Sequence, residues 1–409
     1  MRKMIFRCVL ALAAVGFLAG CHKGEERVAE TVIQTNAVIE VTRRPEEETA
    51  PHSVEPDSNP LAGLPSGTDE GGDPAGEQES SQHVTLLFGG DVLLSDHVLN
   101  AYEKAGGIHG VLDEGYRQAI QEADFFMVNQ EFPFSDRGTQ AEDKQFTFRL
   151  PPERVSIFQK MGIDGVTLAN NHALDFGQDA LMDSAAVLDA AGILHTGAGE
   201  NLDQAKEAVT VNIRGMNIAV IGATRVIPES SWAAGKNHTG MLATYDPAVL
   251  LEEIKELKEK NDYVIVFVHW GVERDEIPQD YQRILGQQYI DAGADLVIGS
   301  HPHVLQGIEY YKGKPIVYSL GNFVFGSSIP RTALLRVTLP ESEEKTAGGD
   351  IAEPAETKGI VMQLIPGTSG AGFTRRLTDE EKLQEFYNYM EGISFGVTYD
   401  RYSGEVVTE

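Results

Sequence analysis

Cysteine is almost missing from this chain: among 409 residues only Cys8 and Cys21 carry a thiol, and both lie near the N-terminus. A domain built from the remainder has no disulfide framework, no thiolate metal site and no cysteine nucleophile. Its stability must rest on a packed core and its chemistry on oxygen and nitrogen. Basic residues are also scarce. Lys and Arg number 33 against 62 Asp and Glu, which gives a net charge of −29 and a pI near 4.7. Nucleic-acid phosphates require the opposite balance, so nucleic acid is excluded as a partner. Electrostatic docking on anionic lipid is excluded on the same ground. Beyond the first twenty residues no apolar run is long enough to span a bilayer.

The first residues contain Arg2, Lys3 and Arg7, then an apolar run to Leu18, then small residues before Cys21. This pattern predicts a secretory signal peptide over residues 1–20. Leu18-Ala19-Gly20-Cys21 resembles the lipobox of bacterial lipoproteins, in which Cys21 would carry a diacylglycerol and become the mature N-terminus. The alternative is a plain signal peptide with an incidental cysteine. On the lipobox reading the protein is extracytoplasmic and held at the bacterial cell membrane through its lipid alone. Residues 21–82 are rich in Glu, Asp, Pro, Gly and Ser, with almost no aromatic side chains. Such a segment buries too little apolar surface to offset its ordering entropy, so it reads as a disordered acidic linker. A less polar stretch, Val28–Val41, leaves room for one short structured element.

From Val84 onward the pattern changes. Strand-like apolar runs occur at 84–90, 125–130, 164–169, 216–222, 263–270, 295–301 and 314–325. Amphipathic helical patterns separate several of them, at 114–123, 151–162, 178–192, 246–261 and 281–293. Alternating strands and helices predict an α/β domain over residues 83–330, with sheet faces covered by helices. Residues 331–409 add strands, an acidic excursion at 341–358 and a last helix, for which Thr378 is the expected N-cap and Glu381 its capping-box partner. This segment is expected to complete the same domain.

Open α/β sheets build ligand sites at the carboxyl ends of their strands. The polar residues that follow the apolar runs here are Asp91, Asn129 and Glu131, the trio Asn170, Asn171 and His172, then His269, then His301 and His303. Each alone has an ordinary explanation. Asp91 caps a helix, Glu131 pairs with a surface cation, His269 is a satisfied core histidine, or the asparagines mark a turn. Together they require several coincidences of position and ligand type. Burying so many ionisable groups without compensation costs several kcal/mol each. One or two divalent cations would supply the compensation, and oxygen and imidazole donors without thiolate suit Mn²⁺, Fe, Zn²⁺ or Mg²⁺.

The ordered motifs GGDV, NQEFPF, LANNHALDFG, VHWGVE, GSHPHVLQGIE and YSLGNFVF, spanning about Val84 to Gly326, resemble the CapA family of poly-γ-glutamate capsule proteins. That family is related to the calcineurin-like metallophosphoesterases. The resemblance implies a four-layer α/β/β/α sandwich and a metal-dependent, phosphoesterase-like hydrolase acting on an envelope or capsule polymer, with a membrane synthase or export complex as a possible partner. It implies metal ligation by Asp91, Glu131, Asn171, His269, His301 and His303, with His172 as the general acid. The sequence departs from the phosphoesterase pattern at Leu93, where an Asp-x-His motif would place an imidazole, and has Gln130 between Asn129 and Glu131. The lost imidazole supports a second reading, a non-catalytic binding or assembly component.

Overall fold

The computed structural model describes residues 39–40, 83–340 and 359–408. The signal peptide, Cys21, most of the acidic linker and the 341–358 excursion lie outside the described residues. Among those described, no helix is long and apolar enough to cross a membrane.

Two sheets organise the domain. In the eight-stranded sheet, Val84–Val92 pairs in parallel with Phe125–Gln130, which continues in parallel through Gly165–Thr167 to Leu194–Thr196. On its other side Ser328–Leu339 runs antiparallel and leads on to Val361–Gly370 and Phe373–Arg376. In the seven-stranded sheet, Tyr263–His269 lies between the parallel strands Met216–Thr224 and Leu296–Ser300. Lys314–Leu320 follows, paired with Leu305–Tyr311 in a hairpin. At the opposite edge Val209–Ile213 pairs with the short strand Ile39–Glu40, so the linker contributes one structured element.

Strands buried on both faces read as continuous apolar runs, and their pleat divides the side chains between two cores. In the first strand Leu86 and Phe88 face the other sheet and pack with Ile218, Ile265, Phe267 and Ile298. Leu87 points the opposite way, into a cluster with Phe126, Val128 and the helical residues Tyr116, Phe158 and Leu181. Across the molecule, Val264, Val266 and Val268 pack under Leu250, Ile254, Leu285 and Tyr289 of helices Ala248–Lys260 and Asp280–Ala292. Three cores therefore separate four layers, helix, sheet, sheet and helix, the architecture that the family resemblance implied. Phe88 and Phe267 meet edge to face across the inter-sheet core, with ring centroids 6.3 Å apart.

One local expectation changes. The last helix, Glu380–Ile393, is capped by Asp379, whose side chain accepts from the Lys382 amide, and not by Thr378. Asp is at least as good an acceptor as Thr for this role, and it sits one residue closer to the first helical turn. The helix after Asp91 starts at Asp96 with Ser95 as N-cap, so Asp91 is free of capping duty. Its own neighbourhood is tight: a Cβ added to Gly90 would stand 1.8 Å from the Gly321 carbonyl oxygen. Only glycine permits this approach.

Candidate metal centre

The parallel strands of both sheets end at one edge, and this edge gathers the polar residues. Asp91, Asn129 and Glu131 come from neighbouring strands of the eight-stranded sheet, with Asp91 opposite Asn129 in register. Asn170, Asn171 and His172 follow Gly165–Thr167. His269 ends its strand opposite Ser300, and His301 and His303 follow directly. The His301 amide donates to Asp91 Oδ2 at 3.2 Å, which ties the edges of the two sheets together. Asp91, Glu131, Asn171, His172, His269 and His301 are all buried, and His303 is partly buried.

Asparagines hold the acids in place. Asn129 Nδ2 donates to Asp91 Oδ1 at 2.8 Å and lies 3.2 Å from Glu131 Oε1. Asn170 Nδ2 donates to Asn129 Oδ1 at 3.0 Å, fixing the amide's orientation. His303 Nδ1 sits 3.3 Å from Asp91 Oδ2 and 2.8 Å from Asn322 Oδ1. His269 Nε2 is 2.9 Å from Asn171 Oδ1 and 3.7 Å from Glu131 Oε1. The His269 and His301 rings are 4.7 Å apart between centroids.

These separations match a shared ion. Donors about 2.1 Å from a common cation stand roughly 3–3.5 Å from each other. Asp91, Glu131 and His303 offer donor atoms within 4.8 Å of one another, and so do Glu273, His301 and His303. Two buried atoms in the cluster lack any hydrogen-bond partner, Glu131 Oε2 and His301 Nδ1. Buried polar atoms are seldom left unpaired, and a cation would satisfy both. The donor set of carboxylates, a carboxamide and imidazoles therefore fits a divalent metal, with no thiolate to narrow its identity.

The electrostatics agree with this fit. Burial and the neighbouring Asp91 carboxylate push Glu131 well above the usual carboxylate range. Burial, then the His301 and His303 rings, holds His269 well below the ordinary imidazole value. Burial and His303 draw His301 down to about 4. His303 is opposite in sign: burial opposes its charge, but Glu131 and Asp91 outweigh it and raise it to about 10. Without a metal, His303 is thus the ring whose positive charge the neighbouring acids favour.

Beside this cluster, His172 Nδ1 lies 2.8 Å from Asp175 Oδ2 and 3.0 Å from Lys144 Nζ. Lys144 also donates to the Asn171 carbonyl and to Asp175 Oδ1. The shorter contact to Asp175 Oδ2 favours a hydrogen on Nδ1 and a lone pair on Nε2, with Lys144 then donating to Asp175 and the Asn171 carbonyl and not to the ring. Burial lowers His172 despite the opposing pull of Asp175. It is therefore neutral near pH 7 and receives a proton at Nε2 before it can donate one. Lys144 is itself lowered by burial, against the pull of Asp175.

Leu93 is 5% exposed and packs in the apolar cluster beside Leu94 and Val98, so it offers the site nothing. Gln130 bonds the Phe132 carbonyl and Ser184, an anchoring role for its strand. Lys144 and Asp175 join the site without having been expected from the sequence, whereas Glu273 fits a rim position and Asn322 a place beside the core strand. Asp175 closes the Asn-Asn-His motif and was the most visible of them. Lys144 sits on an aperiodic loop with no local signal.

A four-layer α/β/β/α domain with a buried carboxylate, carboxamide and imidazole cluster at the strand ends is the class that this geometry defines. Residues 85–327 match the family model described as bacterial capsule synthesis protein PGA_cap, and the chain belongs to that family. It is 34% identical over 255 residues to the PGA biosynthesis protein CapA of Bacillus subtilis (strain 168), covering 62% of this chain and 66% of that protein. It is 32% identical over 266 residues to the capsule biosynthesis protein CapA of Bacillus anthracis, covering 63% of each. The chain thus spans slightly less than two thirds of the length of these curated relatives. A crystal structure of 5'-nucleotidase from Candida albicans SC5314 is similar at 11% identity and a TM-score of 0.36, covering 69% of this chain and 51% of that one.

Proposed function

We propose that this is an exported lipoprotein, anchored at the cell membrane through Cys21, whose domain serves the synthesis, export or processing of a poly-γ-glutamate-type capsule polymer as a metal-dependent, phosphoesterase-like hydrolase. The printed names of the relatives support the capsule setting. The observation that carries the metal-dependent part of this reading is the pair of unpartnered buried atoms, Glu131 Oε2 and His301 Nδ1, in one cluster of N and O donors. On this reading residues 83–330 form the family domain and 331–409 complete it.

Asp91, Glu131, Asn171, His269, His301 and His303 would hold the ion or ions. A divalent cation bound there supplies Lewis acidity toward a phosphoryl or carbonyl oxygen. Asn129 and Asn170 keep the acids oriented. Asp175 holds the Nδ1 proton of His172, which leaves Nε2 to take a proton from the attacking water and to deliver it to the leaving oxygen as the bond to that oxygen breaks. Lys144 balances the Asp175 charge beside it.

The burial of Leu93 among apolar residues supports the second reading, a binding or assembly component. Hydrolysis decides between the two. The full-length protein with Mn²⁺ is expected to cleave a generic phosphodiester such as bis(p-nitrophenyl) phosphate, and His172→Ala is expected to abolish cleavage while Mn²⁺ stays bound. A wild-type protein that binds Mn²⁺ and polymer but cleaves no phosphodiester, amide or ester would establish the binding role.

A further inference from the structure

We infer that Glu273 is a further ligand of the cation site, supplied from its rim in place of the imidazole absent at Leu93; this rests on the metal-site reading above. The two donor sets that the structure brings within 4.8 Å, Asp91, Glu131 and His303 on one hand and Glu273, His301 and His303 on the other, share His303. They are therefore one continuous cluster, with Glu273 on its solvent side. The first strand gives the cluster no donor beyond Asp91, because Leu93 is committed to the apolar core.

The rim loop is fastened at two points to the segment that carries His301 and His303, and at a third to the helix Asp280–Ala292. The Trp270 amide donates to the Ser300 carbonyl at 3.1 Å, and the Arg274 amide to the Pro302 carbonyl at 2.8 Å. Tyr281 Oη accepts from the Gly271 amide at 2.8 Å. Gly271 and Arg274 both adopt positive φ, 98° and 66°, so the chain turns sharply on either side of Glu273. The Glu273 carboxylate makes no hydrogen bond or ion pair among the described residues, although it stands beside two imidazoles. His301, 5% exposed, has an unpartnered Nδ1 in the same donor set. A cation between them would satisfy the orphaned nitrogen and the free carboxylate together.

An exposed ligand differs in consequence from a buried one. Glu273 can swing aside at little cost, so the ion it helps to hold exchanges with solvent and presents an open position to substrate. The inner donors fix where the ion sits, and Glu273 sets how tightly it stays.

The test uses the full-length protein stripped with EDTA and titrated with Mn²⁺ or Zn²⁺, followed by calorimetry and, for Mn²⁺, by electron paramagnetic resonance of the free ion. Glu273→Ala and Glu273→Gln are expected to weaken binding of one ion by about tenfold or more, since loss of a ligand should cost at least as much as loss of an outer-shell partner. Glu273→Asp is expected to recover part of the loss. Thermal unfolding of the stripped variants should match wild type, because the side chain is exposed and unpaired. Wild-type affinity in Glu273→Ala and Glu273→Gln would overturn the inference. A wild-type protein that takes up neither ion would overturn the metal-site reading itself, a result visible before any substitution is made.

Discussion

Asn129 Nδ2 donates to Asp91 Oδ1 at 2.8 Å across neighbouring parallel strands, so a neutral amide sets the direction in which a fully buried acid points. The same amide lies 3.2 Å from Glu131 and 3.3 Å from His269, touching three of the residues proposed as ligands. Outer-shell partners of this kind orient ligands and sustain affinity. Asn129→Ala is expected to leave the domain folded and to weaken Mn²⁺ binding about 10–100-fold, measured by calorimetric titration. Unchanged affinity would remove Asn129 from any orienting role.

The histidines predict an unusual pH profile for the EDTA-treated protein. His172, His269 and His301 are all depressed below the ordinary value of 6.5, His301 to about 4. Below pH 6.5 the unfolded chain binds protons at these sites that the native state refuses, so stability falls as pH drops through this window. Glu131, raised above 4.5, works the other way and offsets one of the three. His303, raised to about 10, holds a native proton that the unfolded chain releases above pH 6.5. Stability therefore also falls between pH 6.5 and about 10, and each unbalanced proton contributes about 1.4 kcal/mol per pH unit. Urea midpoints are expected to peak near neutral pH and to decline on both sides. A flat profile between pH 5 and 9 would contradict these assignments.

Asp175 accepts from His172 Nδ1, from Lys144 and, at 2.7 Å, from the Phe148 amide. Asp175→Asn keeps the shape but presents an amide, which removes the preference for a proton on Nδ1 and frees the ring to adopt the other tautomer. Phosphodiester cleavage is expected to fall about 10²–10⁴-fold, the usual contribution of a positioned proton carrier, with Mn²⁺ affinity nearly unchanged. Equal losses in cleavage and metal affinity would mean that Asp175 supports the ligands and not the proton carrier.

The strand-end residues were legible in the sequence because each follows a buried apolar run, and a polar side chain in that position has few other uses. The presence of an α/β domain was legible for the same reason. The separation into two sheets was not visible in periodicity: Leu86, Leu87 and Phe88 are all apolar although they face two different cores. A strand buried on both faces erases the alternation that would reveal its orientation. Lys144 was hidden because its loop carries no period, and its place beside His172 is set by tertiary folding alone. Asn322 serves both core strand and site: it pairs with Asp91 in register while its side chain meets His303.

Metal content bears most directly on the central claim. Elemental analysis of the full-length protein, after Mn²⁺ or Zn²⁺ loading and removal of free ion, is expected to find one or two ions per chain in wild type and a clear deficit in Asp91→Ala and His303→Ala variants. A wild-type protein with no more bound metal than those two variants would contradict the account.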